Sequence, residues 1–209
     1  MRLEPPPLVI RHLGEMQYLP ALEAMRAFTE RRSADTADEL WVLEHPPVYT
    51  LGVRSDPDHR PKGENGIPIV RCNRGGEITY HGPGQAIVYT LVDLARRALK
   101  VREFVRMLEQ SVIDVLAEGG VTATRKPGAP GVYVGDAKVA ALGLRVSRGR
   151  AYHGIALNVD MDLSPFLAID PCGFPGLTVA QTRDLGIAGP AHAVGERVAA
   201  MLARALGHA

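Results

Sequence analysis

The chain has 209 residues and a mass of 22.5 kDa, 46% of its residues are hydrophobic, and its formal net charge is +1. One domain with one core accommodates that length, and ordinary apolar content with so small a charge excludes an intrinsically disordered chain. The charge gives no electrostatic footprint for nucleic acid or an anionic membrane, and no apolar run approaches the ~20 residues that span a bilayer.

Strands dominate the predicted elements of the first half of the chain. Strands are expected over residues 8–10, 40–44, 48–51, 67–71 and 86–92, and a helix from Pro20 to about residue 32. Residues 52–67 and the glycine-rich stretch 73–85 are interpreted as loops, because Gly, Pro, Asp and Asn are frequent there.

The second half contains the clearest helix, residues 101–118, whose valines and leucine recur every three or four positions before Gly119 and Gly120 end it. Strands are expected over 131–134, 138–146 and 152–159, an irregular segment over 161–176, and a second amphipathic helix over 190–206. Strands that cluster between well-separated helices favour an α+β fold over strict βαβ alternation.

The two cysteines, Cys72 and Cys172, are too few for a disulfide scaffold, and residues 1–11 lack the features of a signal peptide. We therefore expect a cytoplasmic location and reduced thiols. The seven histidines show none of the paired spacing of zinc sites, and neither cysteine has a cysteine neighbour, so no metal site is expected.

Cys172 is one candidate for chemistry, because Pro171 and Gly173 place it in a sharp loop. Such a loop can present a thiol, and its backbone N–H groups can face a developing oxyanion. The alternative is a free cysteine that packs as a small apolar side chain. The local sequence by itself favours that alternative, and favours it more clearly for Cys72.

Lys138 is the second candidate. Strand alternation predicts that it shares a face with Ala140, Leu142, Leu144 and Val146. Because desolvation disfavours the charged form, a lysine on such a face can serve as a base near neutral pH. A lysine at the start of a strand can equally reach solvent, and the pattern leaves both interpretations open.

The third candidate is residues 74–85, RGGEITYHGPGQ, whose four glycines allow the backbone to approach a ligand closely. The segment matches neither a Walker loop nor a dinucleotide-binding fingerprint. A simple glycine-rich hairpin loop is the alternative.

Four segments together resemble the octanoyltransferases (lipoyl(octanoyl) transferases) of lipoate biosynthesis. They are EHPPVYTLG at 44–52, RGGEITYHGPGQ at 74–85, GVYVGDAKVAALGLR at 131–145 and HGIALNVDMDLSPFLAIDPCG at 153–173, within a match over roughly residues 40–183. The resemblance implies one catalytic domain over residues 1–209, with the fold of biotin and lipoate protein ligases: a mixed sheet with helices packed on it.

The resemblance also implies a reaction. The octanoyl group of octanoyl-acyl carrier protein passes to a lysine of a lipoyl domain, in a 2-oxoacid dehydrogenase or in glycine-cleavage H protein. No ATP or other cofactor is implied, because the donor thioester is already activated. Cys172 would form an acyl thioester, and Lys138 would move the protons of both half-reactions.

In the same family, three segments line the acyl site. Here they contribute Arg74, Gly75, Gly76, Glu77, Ile78, Thr79, Tyr80, His81, Ala141, Leu142, Gly143, Gly154, Ile155 and Ala156. His81 either orients the cysteine–lysine pair or braces its loop. Arg145, Arg148 and Arg150 form a candidate docking patch for acidic partners, with a solvated turn as the alternative.

Three rival functions remain at this point. An ATP-dependent lipoate–protein ligase shares the fold but activates a free acid. A non-catalytic binding module for lipoyl domains or acyl carriers would not need both Cys172 and Lys138. A cysteine hydrolase would need water at the acyl thioester, which a transferase must exclude.

Overall fold

The computed structural model describes residues 8–55, 61–62, 66–169 and 177–207. Ten strands and three α-helices are found within these residues: β1 (Leu8–Glu15), α1 (Tyr18–Arg31), β2 (Asp38–Glu44), β3 (Val48–Leu51), β4 (Ile69–Arg71), β5 (Ile78–His81), β6 (Gln85–Asp93), α2 (Val101–Glu118), β7 (Thr124–Lys126), β8 (Ala129–Val134), β9 (Ala137–Ser147), β10 (Arg150–Asn158) and α3 (Ala191–Ala205). Two 3₁₀ segments, Ser164–Ala168 and Thr182–Leu185, connect β10 to α3.

The strands form two sheets. The larger has the order β1-β2-β6-β10-β9-β8-β7, in which β1 and β2 are parallel and the other neighbours antiparallel. The smaller has the order β4-β3-β5 and is also mixed. A mixed sheet with three helices packed on it confirms the expected α+β class.

Side-chain alternation along β2 and β6 separates two apolar layers. Val42 and Val88 face α2 and α3, whereas Trp41 and Tyr89 face α1 on the opposite side of the sheet. Gly195 lets α3 approach closely, because an added Cβ would lie 3.0 Å from Cγ1 of Val42. The large sheet is therefore covered on both faces.

The observed elements correct the expected ones in the glycine-rich stretch. Residues 78–81 were expected to be loop but form β5, which pairs with β3. Its Thr79 and His81 face a pocket while Tyr80 packs on Tyr49 and Phe166, so the side chains do alternate, but four residues are too short a run to indicate a strand among the glycines. The short β7 and both 3₁₀ segments were also not predicted. The helix over 101–118 and the strand over 48–51 are confirmed at both ends.

Among the described residues, no helix combines the length and the apolar character that crossing a bilayer requires.

Candidate active site

A pocket of about 500 Å³, its open mouth included, lies between the glycine-rich segment and the central strands β9 and β10. Twelve of the fourteen residues predicted to bind the acyl chain line it. Four other lining residues were not among those predicted to bind the acyl chain: Tyr18, Ile87, Tyr89 and His153. The first three carry no local signal, because α1 and β6 reach the pocket only through the tertiary fold.

The other two predicted residues, Gly75 and Tyr80, do not line the pocket. The N–H of Gly75 donates to the carbonyl of Leu144 at 2.8 Å, so Gly75 forms the backbone contact that fastens the segment to β9. Gly143 makes this approach possible, because a Cβ there would lie 2.9 Å from the Gly75 carbonyl oxygen. Tyr80 points to the opposite face of β5.

Arg74 fixes the start of the segment from inside the protein. Its Nη2 donates to the carbonyl and to Oγ1 of Thr50, at 2.7 and 2.8 Å, and its Nη1 donates to the carbonyl of Gly75 at 3.0 Å. The glycine-rich segment is thus tied to β3 through a buried guanidinium and to β9 through its backbone.

Three buried histidines, His45, His81 and His153, are kept neutral around the pocket. Burial lowers the pKa of His45 to about 4. Burial, together with the neighbouring His45, lowers the pKa of His81 to about 3, and burial with the charge of Arg74 lowers the pKa of His153 to about 3. Since each value is far below 7, the pocket is bordered by uncharged rings at neutral pH.

The hydrogen-bond partners of His81 determine which ring nitrogen carries the proton. Nδ1 donates to Oε1 of Gln85 at 2.7 Å, and Nε2 accepts from the hydroxyl of Thr50 at 3.3 Å. Both ring nitrogens are engaged by these two residues. These contacts are those of a side chain that braces its surroundings, rather than of one hydrogen-bonded to the Lys138 amine.

His153 has an unusual backbone conformation for a strand residue, with φ of 63°. Its carbonyl accepts from the hydroxyl of Thr90 at 3.0 Å, and its Nε2 donates to Oδ1 of Asn73 at 3.0 Å. A left-handed non-glycine residue costs about 1–3 kcal/mol and persists only where the surroundings hold it. No sequence pattern reports such a dihedral angle, although the histidine itself lies within the HGIALNV segment.

Lys138 is buried, with 3% of its surface exposed, but not on the predicted face. The β8–β9 register shifts: Val132 pairs with Ala140, whereas Tyr133 pairs with Lys138. Because paired residues share a face, Lys138 lies with Tyr133, opposite Ala140. The predicted grouping of Lys138 with Ala140 was therefore wrong, since one extra residue in β9 inverts the alternation.

The register shift turns Lys138 to the same side of the sheet as Ala141, which lines the pocket. Its Nζ lies 5.4 Å from the ring centroid of Tyr133. Gly131 leaves room for the aliphatic chain, because a Cβ there would lie 2.5 Å from Cε of Lys138. The lysine is consequently positioned by β8 as much as by its own strand.

The backbone of Lys138 also receives a new neighbour. The last β9–β10 pair is Ala140 with Leu157, and beyond it the segment around Val179 runs parallel to β9. The N–H of Lys138 donates to the carbonyl of Thr178 at 2.9 Å, and its carbonyl accepts from the N–H of Ala180 at 3.0 Å. Cys172 lies in 170–176, outside the described residues, so its predicted contact with Lys138 remains a prediction.

Comparison with known proteins places the chain in a family. Residues 17–199 match the lipoyl protein ligase A/B catalytic domain. The chain is 56% identical over 200 residues to the octanoyltransferase of Dechloromonas aromatica, covering 96% of this chain and 97% of that protein. It is 59% identical over 201 residues to the octanoyltransferase of Aromatoleum aromaticum, covering 96% and 87%.

The chain belongs to the octanoyltransferase family. The recognition made from four sequence segments is confirmed, and with it the enzyme class: an acyltransferase that carries out octanoyl transfer in protein lipoylation.

Solved structures confirm the predicted fold of this octanoyltransferase. A putative lipoate protein ligase from Thermoplasma acidophilum with bound lipoic acid aligns with a TM-score of 0.78 at 16% identity, covering 97% of this chain and 87% of that one. The biotin protein ligase of Aquifex aeolicus, in complex with biotin and ATP, aligns at 0.58 and 13% identity, covering 96% and 70%. At these identities the likeness concerns the fold alone.

The candidate docking patch of the octanoyltransferase is smaller than expected. Arg145 and Arg148 are exposed. Arg150 turns inward, with Nε 3.5 Å from Oδ2 of Asp93 and Nη1 3.4 Å from the carbonyl of Thr29. Two of the three arginines therefore remain on the surface for a partner.

Within the part of the chain that the structure describes, no group of three or more His, Cys, Asp or Glu side chains is arranged to hold a metal ion. The pocket offers neutral rings and apolar walls, which suit an alkyl chain, and the charged side chains of Arg74 and Glu77 also border it.

Proposed function

We propose that this octanoyltransferase acts in the cytoplasm as one catalytic domain over residues 1–209. Its donor is octanoyl-acyl carrier protein, and its acceptor is a lysine of the lipoyl domains of 2-oxoacid dehydrogenases or of glycine-cleavage H protein. Cys172 carries the acyl group between them, and Lys138 is the general acid and base. One observation carries the proposal: Lys138 is buried on the pocket face, beside Val179, which follows Cys172 by seven residues in the sequence.

The first half-reaction forms the acyl-enzyme. Lys138 accepts the proton of the Cys172 thiol, and the thiolate attacks the carbonyl carbon of the donor thioester. The bond to the phosphopantetheine sulfur breaks, and that sulfur leaves with the proton returned by Lys138. The products are an octanoyl-Cys172 thioester and the free thiol of the carrier protein.

The second half-reaction forms the amide. The neutral amine of the lipoyl-domain lysine attacks the octanoyl-Cys172 carbonyl, and Lys138 accepts the proton that the nitrogen loses. The carbon–sulfur bond breaks, and Cys172 leaves as the thiolate beside the ammonium of Lys138. No nucleotide is needed in either half, because the first exchanges one thioester for another and the second replaces a thioester by a more stable amide.

The pocket supports an acyl substrate by its lining. Burial of an alkyl chain stabilises the complex by about 0.8 kcal/mol per methylene. One methylene more or less is therefore worth about fourfold in discrimination. The neutral histidines favour this burial, since a charged ring beside the alkyl chain would retain water.

Intact mass spectrometry after mixing with octanoyl-acyl carrier protein, without ATP, tests the proposal. The expected result is a thiol-labile octanoyl adduct that survives Cys72→Ser and disappears in Cys172→Ser, which makes Cys72 the matched control. Octanoyl transfer without any adduct would contradict the role of Cys172. Activity that requires ATP and free octanoate would contradict the transferase mechanism and favour the ligase.

A further inference from the structure

We propose that the buried side-chain amides of Gln85 and Asn158, here called the amide clamp, position residues 177–180 against Lys138. These residues follow Cys172 in sequence and are here called the returning chain. Gln85 and Asn158 would both be positioning residues for acyl transfer, acting through backbone and not on the substrate. The inference rests on the proposed function above.

The clamp joins two strand ends. Gln85 is the first residue of β6, Asn158 is the last residue of β10, and the two are cross-strand partners. Nε2 of Gln85 donates to Oδ1 of Asn158 at 2.9 Å. The residues are 1% and 4% exposed, so this amide pair is shielded from water, where a hydrogen bond is strong and an unpaired group is expensive.

Asn158 continues the connection to Lys138. Its Nδ2 donates to the carbonyl of Ala180 at 3.0 Å, and the N–H of the same Ala180 donates to the carbonyl of Lys138 at 3.0 Å. A single residue of the returning chain is thus held from both sides, by the end of β10 and by β9.

The returning chain is only partly buried. Val179 packs on the apolar cluster that contains Tyr80 and Phe166, and Oε1 of Gln181, the residue that follows the returning chain, accepts from the N–H of Met161 at 2.7 Å. Thr178 is exposed, and residues 177, 179 and 180 are only half-buried. Its pairing with β9 consists of the two backbone hydrogen bonds at Lys138. A partly exposed segment opens easily, and the clamp adds a buried hydrogen-bond donor at Ala180, seven residues after Gly173.

The hydrogen bonds at the Gln85 end of the clamp set which atoms donate and which accept. Oε1 of Gln85 accepts from Nδ1 of His81 at 2.7 Å, which leaves Nε2 for Asn158 and for the carbonyl of Tyr80 at 3.3 Å. The chain of hydrogen bonds therefore runs in one direction, from His81 through Gln85 and Asn158 to Ala180. Each clamp residue must accept on one side and donate on the other, which an amide does and a carboxylate does not.

Asn158→Asp tests this polarity with almost no change in shape. The carboxylate would face the carbonyl oxygen of Ala180 without a proton to donate, so the returning chain should shift from Lys138. We expect kcat for octanoyl transfer and the single-turnover rate of Cys172 acylation to fall by about 10²-fold, while KM for octanoyl-acyl carrier protein stays within about twofold.

Two further variants and one control separate positioning from folding. Asn158→Ser loses the same donor with a small neutral side chain, and the double variant Gln85→Asn/Asn158→Gln keeps two amides of the same total length. We expect the first to slow acylation and the second to recover most of the rate. Ser111→Ala, which removes a buried hydroxyl bonded to Met107 on α2, should change Tm without changing the acylation rate.

The outcomes distinguish the clamp from the proposed function. Wild-type acylation of Cys172 with unchanged rates in both Asn158 variants, folded by Tm, would overturn the clamp alone. A fall in kcat accompanied by an equal rise in KM for octanoyl-acyl carrier protein, with no recovery in the double variant, would also overturn the clamp. A general structural role predicts that result. Absence of an acyl-Cys172 in the wild type would contradict the proposed function, and the clamp would fall with it.

Discussion

Two clusters of buried polar side chains solve the problem of burial in opposite ways. At the start of β2, the carboxylate of Asp38 is fully buried, and Arg32, Arg96 and Arg97 reach it at 2.5, 2.7 and 2.6 Å. Burial alone would raise the pKa of Asp38. The N–H of Asp93 and the guanidinium groups of Arg32 and Arg97 outweigh it and hold the pKa below its usual range.

The cluster of three histidines around the pocket is also buried, but its rings are uncharged. Burial keeps His45, His81 and His153 neutral, and their hydrogen bonds go to hydroxyl, amide and carbonyl groups. The charged cluster ties together the ends of α1, β2, β6 and α3, through further bonds to Leu91 and Leu206. The comparison teaches that buried charge fastens segments in both places, since the guanidinium of Arg74 at the pocket also binds Thr50. The difference lies in the histidine rings around the pocket, which stay neutral.

The largest effect is expected from Asp38→Asn. Removal of the carboxylate leaves three buried or half-buried guanidinium groups without their counter-charge, so the free energy of unfolding should fall by about 3–5 kcal/mol. Urea unfolding measures the loss. Asp136→Asn, which breaks the exposed ion pair with Lys126, is the matched control and should change stability little. Equal changes in the two variants would contradict the assignment of Asp38 as the fastening charge.

At the pocket, an uncharged substitution that changes only side-chain shape should slow the reaction. Gly131→Ala would place a methyl group against Cε of Lys138 and the carbonyl oxygen of Ala140, and displacement of the general base by about 1 Å is expected to slow Cys172 acylation by about 10²-fold. Gly135→Ala in the β8–β9 turn is the control, because it also has a positive φ but no neighbour within 4 Å. Acylation slowed equally in both would indicate backbone strain instead of contact with Lys138.

The neutral histidines predict a loss of stability in mild acid. The folded state keeps His153 neutral down to a pKa of about 3, whereas the unfolded chain takes up a proton near 6.5. The stabilisation is therefore complete above pH 6.5 and falls by up to about 1.4 kcal/mol per pH unit as the pH decreases toward 3.

His153→Asn tests that slope, since asparagine tolerates the left-handed φ of this position. The slope of the unfolding free energy against pH, measured by urea titration between pH 6.5 and 4.5, should correspond to the uptake of one proton less than in the wild type. An unchanged slope would mean that His153 is not held neutral by the fold. Asp38 contributes only at lower pH, because its pKa lies below an ordinary value of 3.8.

The smallest effect concerns the surface arginines. Arg145→Glu should raise KM for octanoyl-acyl carrier protein by about two- to fivefold, which corresponds to the ~0.5–1 kcal/mol of an exposed charge. Arg150→Gln should instead lower Tm with KM unchanged, because its guanidinium contacts Asp93 and Thr29. Steady-state kinetics at two salt concentrations distinguishes the two variants. An unchanged KM in Arg145→Glu would show that Arg145 is not part of the docking surface.

Local patterns predicted what local forces decide. The 3.6-residue period, with the two glycines that follow it, predicted both ends of α2, and the motif segments predicted most of the pocket lining. The face of Lys138 was missed because it depends on a register shift that β8 imposes, which no pattern within β9 contains. The Asp38 cluster gathers residues from positions 32 to 97, and the φ of His153 depends on Thr90 and Asn73. Such features are tertiary, so alternation and spacing do not report them.

The general acid–base role of Lys138 is the central claim, and the rate of octanoyl-Cys172 formation in Lys138→Met tests it most directly. Quenched-flow mixing with octanoyl-acyl carrier protein, followed by intact mass spectrometry, measures that rate in a protein of nearly unchanged side-chain volume. We expect acylation to be slower than in the wild type by at least about 10²-fold. Acylation at the wild-type rate would contradict the account, because the thiol would then need no proton acceptor at this position.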